Sequence, residues 1–180
     1  MNGKDKIQEL IDETPIKSCT ISCGERLSYR AYHHDIDKST KYTLVVIAGY
    51  GGDSTHLAAE LSVLPQLSDH KLIGINPRGW GKSSSSQNNI NYTHEENAQD
   101  IKEVIDIIGL KTTMVIGHST GGPIASLLGK KKIYMHVDLS YYRSNHNIFL
   151  QHMICTQYHL CINHRSNQSP WNNQGCFLDE

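Results

Sequence analysis

No run of about 18 apolar residues occurs anywhere in this chain, so the sequence offers no helix able to span a membrane. Nor does an apolar stretch follow the basic residues of the opening MNGKDKIQELIDETPIKS, as a secretory leader requires. Both absences point to a soluble, cytoplasmic protein. Charge of one sign is also lacking: 17 Lys and Arg stand against 18 Asp and Glu, for a net charge of −1. That balance excludes the strong field that gathers nucleic acid or an anionic membrane, and leaves a small-molecule substrate as the partner it suits best. Cysteine is scarce and odd in number. Cys19, Cys23, Cys155, Cys161 and Cys176 cannot make a disulfide framework for 180 residues and are read as free thiols. Internal repeats are missing as well, which excludes a solenoid.

What the chain does have is a regular alternation of short β-branched runs and amphipathic segments from Ile16 to Gly129. Arg26 to His33 reads as an early strand. Tyr42 to Ala48 (YTLVVIA) is near-continuously apolar and ends in a glycine cluster, the pattern of a strand covered on both faces. Leu57, Ala58, Leu61 and Leu64 recur at helical spacing, and Lys71 to Asn76 returns to a strand, giving a βαβ unit and therefore a parallel sheet. Thr93 and Glu96 form a capping box that opens a helix lined by Ala98, Ile101, Val104, Ile105 and Ile108, with Gly109 as its stop. Thr112 to Ile116 is the next buried strand, and Gly121, Gly122, Pro123 and Ala125 open another helix.

Composition changes near Lys130. The segment 130–180 is rich in His, Cys and Asn without steady periodicity, and reads as an atypical tail, frame-shifted or intron-derived, behind a 1–15 extension and a 16–129 core. Within the tail, Ile133 to Asp138 suggests a strand and Asn147 to Ile162 a helix. That helix would put His152, Cys155 and His159 on one face beside Cys161 and His164, but the spacing lacks the paired form of a structural zinc site, so no metal or other cofactor is implied. Gly79-Trp80-Gly81-Lys82-Ser83 ends like a phosphate loop, yet Asn76 stands where that motif needs its first glycine, and nucleotide binding is set aside.

The chemistry concentrates at Gly117-His118-Ser119-Thr120-Gly121, a G-x-S-x-G between a strand and a helix. In that context the serine occupies a sharp turn, the glycines Gly117 and Gly121 leave room for the backbone to fold back, and the hydroxyl meets the partial positive charge of a helix N-terminus.

With this motif, Gly24 to Arg30, Gly49-Tyr50-Gly51-Gly52 and Asn76 to Ser83 stand in order, and the chain from Ile16 to Gly129 resembles the front half of the α/β-hydrolase family. The resemblance implies an α/β fold, a mostly parallel sheet with flanking helices, truncated after the nucleophile turn. It implies Ser119 as nucleophile and the N–H groups of Tyr50 and Thr120 as oxyanion donors. Serine rather than aspartate at that position argues against the dehalogenase and epoxide hydrolase branches and for ester, thioester or amide substrates. The chain departs from the family at Ala48-Gly49, where many members have His-Gly, and at Asn76, where aspartate is usual. It also implies an acid and then a histidine after the serine. Asp138 following one further strand, and His146, His152, His159 or His164, stand in that order, while His118 is read as structural. The 61 residues after Ser119, however, leave no room for the lid and later strands that normally carry the acid and the histidine, so the catalytic set is expected to be incomplete in this chain. A sheet stopping at a fifth or sixth strand would leave an uncovered edge, from which self-association is expected.

Overall fold

The computed structural model describes residues 3–33, 43–67, 69–85, 92–110, 113–129, 134–144 and 147–155, the last two segments through their backbone alone. Strand β3 (Thr43–Ile47) is the architectural centre. Its Leu44 to Ile47 are buried on alternating sides because helices cover both faces of the sheet, which is why no polar alternation interrupts the run. β4 (Lys71–Ile75) and β5 (Thr113–Gly117) pair with it in parallel on either side. Outside β4 lie β2 (Arg26–Tyr32) and β1 (Lys17–Thr20), both antiparallel to their inner neighbours. With β6 (Tyr134–Ser144) and β7 (Asn147–Cys155) beyond β5, the full order is β1-β2-β4-β3-β5-β6-β7.

One face packs Val45, Ile47, Ile75 and Val115 against α3 (His94–Ile107) and α4 (Gly121–Gly129), through Ile101, Ile105, Ile124 and Leu128. The other packs Leu44, Val46, Leu72 and Ile116 against Leu57, Ala58 and Leu61 of α2 (Ser54–Ser62). The capping box at the start of α3 is formed as the sequence requires: the Glu96 amide donates to Thr93 Oγ1 at 3.1 Å, and the Thr93 amide to Glu96 Oε2 at 3.2 Å. Gly109 follows α3 with φ 73°, a left-handed exit.

The extension 1–15 contains a helix, α1 (Gly3–Glu13), whose Ile7, Leu10 and Ile11 join the α2 side of the core. Two expectations are corrected. The sheet does not stop at five or six strands: β6 (Tyr134–Ser144) adds in parallel to β5, and β7 (Asn147–Cys155) adds antiparallel to β6. The segment from Asn147, read as a helix, is therefore a strand as far as Cys155, and residues 156–162 lie outside the described residues. Register explains the difference. Ser144 pairs with Asn147 and Val137 with Cys155, and ladder hydrogen bonds to β6 outweigh a weak local helical pattern. With the helix goes the spacing that would have grouped His152 with Cys155, and His159, Cys161 and His164 lie outside the described residues. Among the described residues no cluster of metal-ligating side chains is found, and no helix is long and apolar enough to cross a membrane.

Candidate active site

Between the end of β5 and the start of α4 the chain turns within three residues, His118, Ser119 and Thr120. The His118 amide still bonds the Ile47 carbonyl of β3 at 2.9 Å. The Gly121 amide then reaches back to the His118 carbonyl at 2.9 Å, and the Gly122 amide to the Ser119 carbonyl at 2.8 Å. This forces Ser119 into the left-handed region, φ 53°, a conformation that costs a side-chain-bearing residue about 1–2 kcal/mol. Ser119 is nonetheless exposed.

The two flanking glycines are required by contact. A Cβ on Gly117 would overlap the Gly121 carbonyl oxygen and come within 2.7 Å of Gly122 Cα. A Cβ on Gly121 would overlap the Ile47 carbonyl oxygen and sit 2.8 Å from that of Ala48. Strand end and helix start are thus pressed together with no room for a methyl group.

The loop after β3 lies against this turn. A Cβ built on Gly49 would be 2.8 Å from Ser119 Cβ and 3.1 Å from His118 Nδ1, so Gly49 passes directly beside both side chains. The Gly52 amide closes the loop onto the Gly49 carbonyl at 2.9 Å, and Gly51 takes φ 68°. Tyr50 at its tip is 87% exposed. Thr120, on the other side of Ser119, has a buried Oγ1 with no hydrogen-bond partner among the described residues. The structure therefore brings together Gly117, Ser119, Thr120, Gly121 and the loop carrying Tyr50.

Asp138 is placed differently from expectation. It lies inside β6, opposite Gly117, and not in a loop after a strand, because β6 runs on to Ser144 to pair with β7. His152 is within β7, opposite Ser140, whereas His146, His159 and His164 fall outside the described residues.

Below the loop sits a buried polar network of which the sequence reading had noted only Asn76. Asp53 caps α2, its Oδ1 accepting from the Thr55 amide at 2.8 Å and from Thr55 Oγ1 at 2.6 Å. Burial pushes the Asp53 carboxyl up, but hydrogen bonds from Thr55 and Asn76, with the nearby His56, outweigh it and hold the group below its ordinary value. The run Asp53-Ser54-Thr55 after the glycine cluster is an N-cap signal that marks Asp53 in the sequence, though not its contact with Asn76. Farther along, Arg78 forms a buried bidentate pair with Asp100 of α3, at 2.5 and 2.6 Å. Hydrogen bonding to Asp100 raises the guanidinium above its ordinary value despite burial.

A family model described as alpha/beta hydrolase fold matches residues 42–132. The chain belongs to the α/β-hydrolase family. Among curated relatives it is 30% identical over 93 residues to a protein of Caulobacter sp. (strain K31) named "Putative carbamate hydrolase RutD", covering 51% of this chain and 34% of that protein. It is 31% identical over 61 residues to Epoxide hydrolase 4 of Mus musculus, covering 34% of this chain and 17% of that one. The matched residues thus span about a third of the length of the first of these relatives and about a sixth of the second. A crystal structure of an alpha/beta hydrolase from Novosphingobium aromaticivorans DSM 12444 superposes with a TM-score of 0.56 at 23% identity, over 71% of this chain and 45% of that one. At that identity the likeness concerns the fold alone.

Proposed function

We propose that Ser119 is the nucleophile of a serine hydrolase acting on an ester, thioester or amide bond, with the amides of Tyr50 and Thr120 as oxyanion donors. The observation that carries this reading is the left-handed backbone of Ser119, held exposed between β5 and α4. A strained, solvent-facing serine has no packing role to account for it, and such strain concentrates where a side chain must be presented. The contact of Gly49 with Ser119 supports the pairing of nucleophile and donor loop.

In this reading Ser119 Oγ attacks the carbonyl carbon, the π pair moves to oxygen, and that oxyanion is received by the two amides near the positive end of α4. Expulsion of the leaving group gives an acyl-serine, which water hydrolyses. The proton on Oγ must pass to a base. His146, His152, His159 and His164 follow Ser119 in the order the fold uses, and single replacements of each test whether any of them serves.

The names of the relatives bear on the substrate in opposite ways. A carbamate offers a carbonyl to Ser119, as an ester does. An epoxide opened by a serine hydroxyl would leave a stable alkyl ether that water cannot cleave, so a carbonyl substrate is favoured. Binding without turnover is a second reading, favoured by the position of Asp138 inside β6.

The test compares wild type with Ser119→Ala in labelling by a fluorophosphonate and in turnover of activated short-chain esters. Labelling that depends on Ser119 is the expected result. Equal labelling of both proteins would end the nucleophile reading, and labelling without any ester turnover would favour the binding reading.

A further inference from the structure

Asn76 is completely buried, and its side chain ties the start of α2 to β2. Its Oδ1 accepts from the Ser54 amide at 2.7 Å, at the first residue of α2. Its Nδ2 donates to Asp53 Oδ1 at 3.0 Å and to Ser28 Oγ on β2 at 3.2 Å. Ser54 passes the constraint on, because its Oγ accepts from the Ala48 amide at 3.0 Å, where β3 leads into the glycine loop. Next in the chain is Gly49, which touches Ser119. The segment from Ala48 to Asp53 is therefore fixed at both ends by one carboxamide. It is sealed from the other side by Gly81, φ 53°, where any Cβ would overlap Asn76 Nδ2 and lie 3.1 Å from Asp53 Oδ2.

We propose that Asn76 is a positioning residue for the loop Gly49–Gly52, acting through an amide–carboxylate pair with Asp53 whose two members can be exchanged only together. The inference rests on the reading of Ser119 and its donor loop given above. The contact of 3.0 Å needs one donor and one acceptor. An aspartate at 76 beside Asp53 would set two carboxylate oxygens against each other with no proton between them, unless the pair holds one in common. Exchanging both residues restores the match: a carboxamide at 53 can still accept from Thr55, and a carboxylate at 76 can still accept from the Ser54 amide. The charged and titratable groups around the pair are His56 of α2, which favours the negative charge, and Tyr32 and Arg30 of β2.

The experiment uses Asn76→Asp, Asp53→Asn and the double exchange, with two readouts at about pH 5 and about pH 8. One is the rate of Ser119 labelling by the fluorophosphonate. The other is the amide resonances of Ala48, Gly49 and Tyr50, which report loop position whether or not Ser119 reacts. Asn76→Asp should slow labelling by about 10- to 100-fold at the higher pH, the loss that follows a misplaced donor, and recover in part at the lower pH. The double exchange should return labelling to within about threefold of wild type at both pH values and restore the resonances. Unmoved resonances in Asn76→Asp, or a double exchange that fails to fold or to recover, would overturn the proposal. If wild type itself is not labelled, the nucleophile reading fails, and the resonances alone decide whether Asn76 and Asp53 hold the loop.

Discussion

Adding one methyl group at Gly74 should destabilise the protein, although residue preferences alone point the other way. Gly74 lies in β4, and an alanine in a strand interior is ordinarily favoured over glycine by about 0.5–1 kcal/mol. Here, however, the first residues of α2 rest directly on the strand. A Cβ at 74 would overlap the Ser54 carbonyl oxygen, lie 2.5 Å from its carbon and 2.7 Å from Thr55 Cα. These are backbone atoms, and no rotamer change can move them. Normal carbon contact begins about 1 Å farther out, so the start of α2 must shift by about that much. Overpacking of this kind costs about 1–3 kcal/mol, and for a domain of this size each kcal/mol lowers Tm by about 2–4 °C. Thermal unfolding of Gly74→Ala followed by circular dichroism should therefore show a Tm lower by about 2–12 °C. Because Ser54 holds the Ala48 amide, Ser119 labelling should slow in the same variant. A Tm equal to or above that of wild type would refute the reasoning, since propensity would then have outweighed contact.

Asp100→Asn strips the buried Arg78 of its counter-charge and should cost about 3–5 kcal/mol in urea unfolding, while replacing both partners by apolar residues costs less. Gly121→Val drives a side chain into the Ile47 and Ala48 carbonyls; a lowered Tm together with slowed labelling is expected, and wild-type values for both would contradict the close approach. Asp53 is held below its ordinary value of 3.8, so its contribution to stability is complete above that pH and is lost as pH falls through the lowered value. An acid titration of Asp53→Asn should lack that component, and an unchanged acid limb would show that the carboxylate contributes nothing.

The legible part of the fold was the part whose periodicity comes from burial on two sides. The runs at Thr43–Ile47, Lys71–Ile75 and Thr113–Gly117 could be read because helices cover both faces and leave no polar interruption. Thr93 and Glu96 marked the start of α3 because capping is local chemistry. The Ser119 turn was legible for a related reason, since Gly117 and Gly121 each answer a contact that only glycine can make. α1 was missed because Ile7, Leu10 and Ile11 form a short stripe inside a polar segment, and only docking on α2 gives it meaning. β7 was misread because strand identity there depends on a partner in β6, which no local period announces. The polar network under the loop escaped for the same reason: Ser28, Asp53 and Asn76 are far apart in sequence and meet only when β2, α2 and β4 are assembled.

The strand order carries a consequence for how the chain acquires its structure. β3 precedes both of its neighbours in sequence, yet it finishes between them, with Val45 paired to Ile73 on one side and to Val115 on the other. As the chain leaves the ribosome, its most apolar strand must wait, first for β4 and then for β5, before both edges are closed. The second closure spans the whole of α2, β4 and α3, so its chain entropy is lost before the contacts compensate for it. Pulse-labelled hydrogen exchange should find the β5-facing amides of β3 protected no earlier than those of β5 itself; until then the Leu-Val-Val-Ile stretch keeps one edge open.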